Sequence, residues 1–349
     1  MFLTNAHRQL MAVITAFACT PAMATPPPSA PGLEDLANAT YQGLHEVEGA
    51  ITLSDGQWQG EPWVEGGASA PSLQLAGTLV VQGDLDNDGR TESVNLVNYS
   101  TGGTGQLLHL AVSRFGETGV DNFSTAFLGD RVMVRGLRIE SDRILADLVQ
   151  AGPNDGACCA GDMVTRGWRL IEGELQEVPV NYEPERLSVN ILEGSEWALS
   201  RWGFSEPVQN GITITLEYLA GKFTGQSACN RYFAGVKAAG DIAGGIKVAG
   251  VGGTRMACAD DRLAAAEDRD LTALQQVNRI SFIAGELVLS WGQGSDFGSL
   301  YFSQISSALG SSTGLSTQII TGSVTGVPAT VPLPLVTRLV TPASRSGAK

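Results

Sequence analysis

The densest concentration of chemistry in the 349-residue sequence is Asp84-Leu85-Asp86-Asn87-Asp88-Gly89-Arg90-Thr91-Glu92. Carboxylates at alternate positions of a tight loop converge on one point, and Gly89 at the sixth position permits the sharp turn that convergence requires. Hard oxygen donors in that pattern suit Ca2+. The expected ligands are Asp84, Asp86 and Asp88, Arg90 through its backbone carbonyl, and Glu92. The twelfth position is Asn95 rather than Glu, and the flanking segments read as strands. The loop is therefore expected between β-strands and not between the helices of an EF-hand; the alternative is an acidic hairpin turn without an ion.

The second candidate set is the cysteines. Cys19 falls in an export signal, which leaves Cys158, Cys159, Cys229 and Cys258. Three pairings exist. Cys158 and Cys159 are adjacent and can pair with each other only as a strained vicinal disulfide, and the tidier solution joins Cys229 to Cys258; four buried thiols are the alternative. The pattern lacks C-x-x-C spacing, and the mature chain holds only His45 and His109, so a zinc site of ordinary spacing is not expected.

Other catalytic arrangements are thin. A serine triad would need His45 or His109, and His109 alternates within the apolar run Leu107 to Val112, where a packed histidine is the commoner fate. No G-x-x-x-x-G-K-[ST] occurs. The expectation is a non-enzymatic protein; the alternatives are an envelope hydrolase using carboxylates between domains, and a glycan-binding or small-ligand module. Trp58 and Trp63, in a turn-rich stretch, are the expected contact residues for such a ligand, whereas Trp197 and Trp291 are expected in a core.

The elements that position these residues are mostly strands. With 43 glycines, 15 prolines and 17% charged residues, the composition suits short strands and turns. Strands are expected at Leu75 to Val81, Ser93 to Tyr99, Leu107 to Arg114, Val132 to Ile139, Ile144 to Val149 and Val164 to Ile171, as an antiparallel meander. The pattern restarts at Gly194 with Trp197 to Trp202, Ile212 to Tyr218, Lys222 to Thr224, Ile246 to Val251, Ile280 to Ile283, Glu286 to Trp291 and Leu300 to Phe302. One helix is expected over Asp260 to Asn278, presenting Leu263, Glu267, Leu271 and Leu274 at 3.6-residue spacing, with Asp260 or Asp261 as cap.

The organisation that follows is mainly β, a β-rich α+β chain of two antiparallel domains, the second with one helix. A signal peptide covers 1–24 and a Pro-rich linker 25–32. An acidic β-rich domain with the Asp loop covers 33–185, a second domain 194–302, and a disordered Ser/Thr/Gly-rich tail 303–349. The signal rests on the apolar run from Leu10 to Ala18 and the small residues of Ala22-Met23-Ala24. Lipidation of Cys19 is the competing route. The protein is thus expected in the periplasm, or as an outer-membrane lipoprotein, with no transmembrane span. Its 36 acidic and 22 basic residues give a net charge of -14, most of it in the front half, where residues 25–193 carry 25 acids and 9 bases. A nucleic-acid partner is disfavoured, leaving an envelope protein or a glycan as the expected partner.

The second domain resembles the META (HslJ-like) family. The residues that carry the resemblance are Glu196-Trp197-Ala198-Leu199, Gly225-Gln226-Ser227-Ala228-Cys229-Asn230-Arg231-Tyr232, Thr254-Arg255-Met256-Ala257-Cys258, Glu267 and Leu287-Val288-Leu289. Ala228 stands where the family usually has Gly. The resemblance implies a compact antiparallel β-fold with one helix, found in bacterial envelope proteins, often lipoproteins and sometimes stress-induced, with no established reaction. It makes Cys229, Asn230, Arg231, Thr254 and Cys258 the signature positions, with Arg231 expected to pair with Glu267. The Asp84 loop in turn resembles the calcium loops of FG-GAP-type β-hairpins.

Overall fold

A computed structural model describes residues 30–156, 159–181, 183–293 and 296–305. The expected signal peptide with Cys19, most of the Pro-rich linker, Cys158 with its pairing to Cys159, and the tail beyond residue 305 lie outside the described residues. The chain is mainly β, with curled, barrel-like sheets.

After a short helix, α1 (Leu33–Leu36), the first sheet contains β1 (Thr40–Gln42), β2 (Ala50–Thr52), β3 (Gln57–Gln59), β4 (Ser72–Leu75), β5 (Val81–Gly83), β6 (Glu92–Ser100), β7 (Leu107–Phe115) and β8 (Val120–Asp130). Its order is β2-β1-β8-β7-β6-β4-β3, with β5 on the other end of β6. It is not a pure meander, because β1 joins β8 in parallel. The expected strand over Leu75 to Val81 is interrupted between β4 and β5. Gly77 sits at φ +75 there, and a side chain on it would strike Ala284. β8 gave no strand signal, since Asp121, Asn122 and Gly129 break its pattern; pairing with β7 forms it regardless of propensity.

The second sheet is a meander of β9 (Met133–Glu140), β10 (Arg143–Gln150), β11 (Asp162–Ile171) and β12 (Glu174–Val178), with β13 (Glu185–Arg186) beside β11. Val94, Leu96, Leu110 and Val112 of the first sheet pack against Val134, Ile144, Leu148 and Trp168 of the second in one core.

The third sheet holds β14 (Glu196–Trp202), β15 (Glu206–Pro207), β16 (Thr215–Leu219), β17 (Lys222–Ser227), β18 (Asn230–Ala238), β19 (Ile246–Gly253), β20 (Arg279–Ile283), β21 (Glu286–Gln293) and β22 (Asp296–Gln304). β22 runs into the region expected to be tail, and Gln304 pairs with Trp197. The sheet runs from β19 round to β20, and those two end strands approach each other. Ile246 N–H donates to Asn278 O at 2.9 Å and Ile280 N–H to Gly244 O at 2.8 Å. Helix α2 (Asp261–Gln276) lies against this curled sheet, capped by Asp260, whose carboxylate accepts from Arg262 and Leu263 N–H. Of the expected row, Leu274 is buried and Leu263, Glu267 and Leu271 are half-buried at the margin, while the rest of the buried stripe is Ala266, Asp270 and Ala273. Small alanines let the helix approach closely, which turns the bulkier Leu263 and Leu271 to the margin.

The core of the third sheet is continuous with the second. Val149, Ala160 and Met163 join Trp197, Phe223, Leu274 and Phe302. The tight turn expected at Ala284-Gly285 has positive φ at both residues, 45 and 87, and Gly285 N–H donates to Val134 O at 2.9 Å. No described helix is long and apolar enough to cross a membrane.

Candidate functional site

The Asp loop connects antiparallel β5 and β6. Leu85, only 2% exposed, pins it into the core between the first two sheets. Asn87 at φ 60 and Gly89 at φ +83 turn the chain, and the aspartates fold back on the backbone. Asp84 Oδ2 accepts from Gly89 N–H at 3.0 Å, Asp86 Oδ1 from Asp88 N–H at 3.1 Å, and Asp88 Oδ1 from Arg90 N–H at 2.8 Å. Asp84, Asp86 and Asp88 can each bring an oxygen within 4.8 Å of the others.

Glu92 is fully buried at the first position of β6. Its Oε2 accepts from Leu85 N–H at 2.9 Å, while its Oε1 and Asp84 Oδ1 are buried without a hydrogen-bond partner. Burial pushes the Glu92 carboxyl up, against the Leu85 N–H and with help from the Asp86, Asp88 and Asp84 charges. The Asp88 carboxyl is held low, first by the Arg90 N–H and then by charge and hydrogen bonds from Arg90 and Arg114. Arg114 of β7 reaches over the loop, its Nη1 3.3 Å from Asp88 Oδ2, 3.6 Å from Asp86 Oδ2 and 3.9 Å from Glu92 Oε1.

Three convergent aspartate oxygens, with two further buried carboxylate oxygens lacking a hydrogen bond on Asp84 and Glu92, are hard donors of the kind a divalent cation takes. Sequence reasoning missed two guanidinium contacts. Arg90 pairs its guanidinium with Asp88 at 3.0 Å, and Arg114, distant in sequence, supplies the opposing cation. Asn95 turns away, its Nδ2 donating to Tyr41 Oη at 3.1 Å.

The signature residues of the third sheet also converge. Cys229 and Cys258 form a disulfide with Cα atoms 5.6 Å apart. Asn230, 3% exposed, clamps the two cysteine-bearing segments together. Its Nδ2 donates to Met256 O at 3.0 Å and to the Glu267 oxygens at 3.1 and 3.0 Å; its Oδ1 accepts from Met256 N–H at 2.9 Å and Thr254 Oγ1 at 2.6 Å. Thr254 Oγ1 in turn accepts from Arg231 N–H.

The expected Arg231–Glu267 pair does not form, because alternation along β18 turns Asn230 and Tyr232 inward and Arg231 out. Asn230 holds Glu267 instead. Ala228 lies at φ 52, a left-handed conformation that costs a non-glycine residue about 1 kcal/mol, which accounts physically for Gly being usual at this point. Beside the network is a hollow of about 180 Å3 lined by Ser227, Arg231, Thr254, Arg255 and Gln275.

His109 is sealed in the first sheet at 0% exposure. His45 N–H donates to its Nε2 at 2.9 Å, which places the proton of the neutral ring on Nδ1. Nδ1 is buried without a partner, and burial pulls the imidazole down to about 4. An unfolded chain takes up that proton near pH 6.5, so stability is lost as pH falls from about 6.5 towards 4, by roughly 2 to 3 kcal/mol between pH 7 and 4.5. Urea unfolding of wild type and His109→Gln at those two pH values checks this. The variant should lose less stability on acidification, and equal losses would refute the assignment.

Of the tryptophans, Trp58 packs against the first-sheet core. Trp63 is 63% exposed, with its indole N–H donating to Thr101 O at 2.6 Å. Trp197 is buried and Trp291 partly so in the third-sheet core.

Together these features define a β-sheet protein with an acidic loop at one end and, in its second half, a curled sheet strapped by a disulfide and plugged by a helix. Residues 190–300, which form that second half, match the family model described as META domain. The chain is also similar to a solved structure, an NMR structure of a protein from Burkholderia xenovorans, at 23% identity over 37% of this chain and all of that one, with a TM-score of 0.27. No curated protein matches the chain.

Proposed function

We propose that this is a non-enzymatic, exported protein of the bacterial cell envelope, periplasmic or lipid-anchored through Cys19, that serves interaction or envelope maintenance under stress. In this reading, Ca2+ stiffens the front half and the META domain supplies a rigid second half. The observation that supports the calcium assignment is the convergence of the Asp84, Asp86 and Asp88 oxygens, with Asp84 Oδ1 and the neighbouring Glu92 Oε1 buried without a hydrogen bond. Those four side chains would hold the ion, which supplies charge neutralisation at the loop. His109, with its ring locked in the core, is withdrawn from acid–base chemistry in this reading. Envelope residence is supported by the META match and by the disulfide, which an oxidising compartment maintains.

Thermal unfolding with and without Ca2+ tests the loop. At a free Ca2+ concentration 100 times its Kd, the ion should stabilise the fold by about 2.7 kcal/mol. A chelator should remove that increment, and Asp86→Ala should melt at one temperature in both buffers. A wild-type melt indifferent to Ca2+ would refute the assignment.

A further inference from the structure

Asn230 holds Glu267 directly against the disulfide. Glu267 Oε2 lies 3.1 Å from Cys229 Sγ and 3.9 Å from Cys258 Sγ, and all three side chains are half-buried and can converge within 4.8 Å. In the bridged form a carboxylate beside two sulfurs does nothing favourable, since it repels an incoming thiolate. In the reduced form it would sit against two sulfurs that can also become anionic, an arrangement that one divalent cation resolves.

We propose that Cys229, Cys258 and Glu267 form a metal site in the reduced protein, so that the disulfide and a thiophilic divalent ion such as Zn2+ are alternative closures of the same strap. Thiolate donors select zinc-like ions over Ca2+. In the bridged form the two oxygen–sulfur separations, 3.1 and 3.9 Å, already bracket the edge of about 3.5 Å in a tetrahedron with bonds of about 2.0 to 2.3 Å, and reduction has only to let the two sulfurs part to the edge of about 3.8 Å that two thiolates need. Three protein ligands leave the fourth position to water.

The segments that carry the three ligands are held together by more than the sulfur–sulfur bond. Asn230 ties β18 to Met256 and Thr254, and it also fixes both Glu267 oxygens. That is the outer-shell support metal ligands ordinarily have. Asp260, two residues beyond Cys258, caps the helix that carries Glu267.

The exchange balances. A dithiol reductant donates two electrons and two protons, yielding two thiols here and its own disulfide. Metal binding then releases those two protons as the thiolates form, and the ion's two positive charges face two thiolates and one carboxylate.

The test uses the full chain with Cys19, Cys158 and Cys159 changed to Ser, reduced and titrated with Co2+. The expected result is thiolate-to-cobalt charge-transfer absorption saturating at one equivalent, cleared by Zn2+ and absent from the oxidised protein. Oxygen ligation at the Asp84 loop produces no such band. Glu267→Gln should still form the disulfide yet bind Co2+ at least tenfold more weakly when reduced. The proposal is overturned if the reduced protein shows no charge-transfer band. It is equally overturned if Glu267→Gln binds as tightly as wild type, or if reduction abolishes the near-ultraviolet tertiary signal and metal fails to restore it.

Discussion

Asp270→Asn is expected to stabilise the protein at pH 8 by on the order of 4 kcal/mol while changing little at pH 4. Asp270 lies on the buried stripe of α2, 2% exposed, and its Oδ2 has no hydrogen-bond partner. The Ser227 hydroxyl lies nearby, too poorly aligned to satisfy it. Burial first, then repulsion from Glu267, raises the carboxyl to about 7, with the Ser227 hydroxyl opposing. Because the folded value exceeds that of an unfolded aspartate, the contribution to stability is full below about pH 4 and is lost as pH rises through 7. An amide of the same shape carries no charge to desolvate. Urea unfolding at pH 4, 6 and 8 measures the effect, and parallel curves for variant and wild type would refute it. His109 acts in the opposite sense over nearly the same window, since its shift is downward. The wild-type profile between pH 4 and 7 should therefore be flatter than that of either single variant, which should tilt in opposite directions.

Replacing Cys229 and Cys258 together by Ser is expected to cost about 3 to 4 kcal/mol, the loop-closure entropy of a bridge spanning 29 residues. The variant should retain its β-sheet circular dichroism, because Asn230 still links the two segments. Adding Asn230→Ala should then unfold the second half, since it leaves Met256 N–H, Thr254 Oγ1 and Glu267 without their partner. Chemical denaturation under non-reducing conditions reads the first effect. A loss below about 1 kcal/mol would mean that the polar clamp alone organises this corner.

What the sequence discloses is chemistry packed into short runs. Asp84 to Glu92 holds a recognisable loop within nine consecutive residues, and turns such as Ala284-Gly285 are set by local backbone rules. What it conceals depends on residues far apart. Arg114 reaches the loop only because β6 and β7 pair, and Asn230 meets Glu267 only because α2 folds back over β17 to β19. The helix itself was legible from its period, and so was Leu274 on its inner side, but Ala266, Asp270 and Ala273 were not. A hydrophobicity reading favours Leu271 for the inside and has no means of placing an aspartate there. β8 and β18 were missed for the same reason, as their Asn, Arg, Gly and Lys residues contradict a strand until neighbouring strands impose one.

The near-closure of the third sheet bears on self-association. A sheet with open margins offers unpaired amide and carbonyl groups to any passing chain, which is how strands are captured into polymers. Here the margins, β19 and β20, begin to bond to each other near Gly244 to Ile246, and the end of α2 stands beside the remaining gap, lined in part by Gln275 and Val277. Crowded copies of this half have little backbone to offer one another, so edge-to-edge addition would have to start elsewhere, at the end strands of the other two sheets, β2 and β3 or β9 and β12.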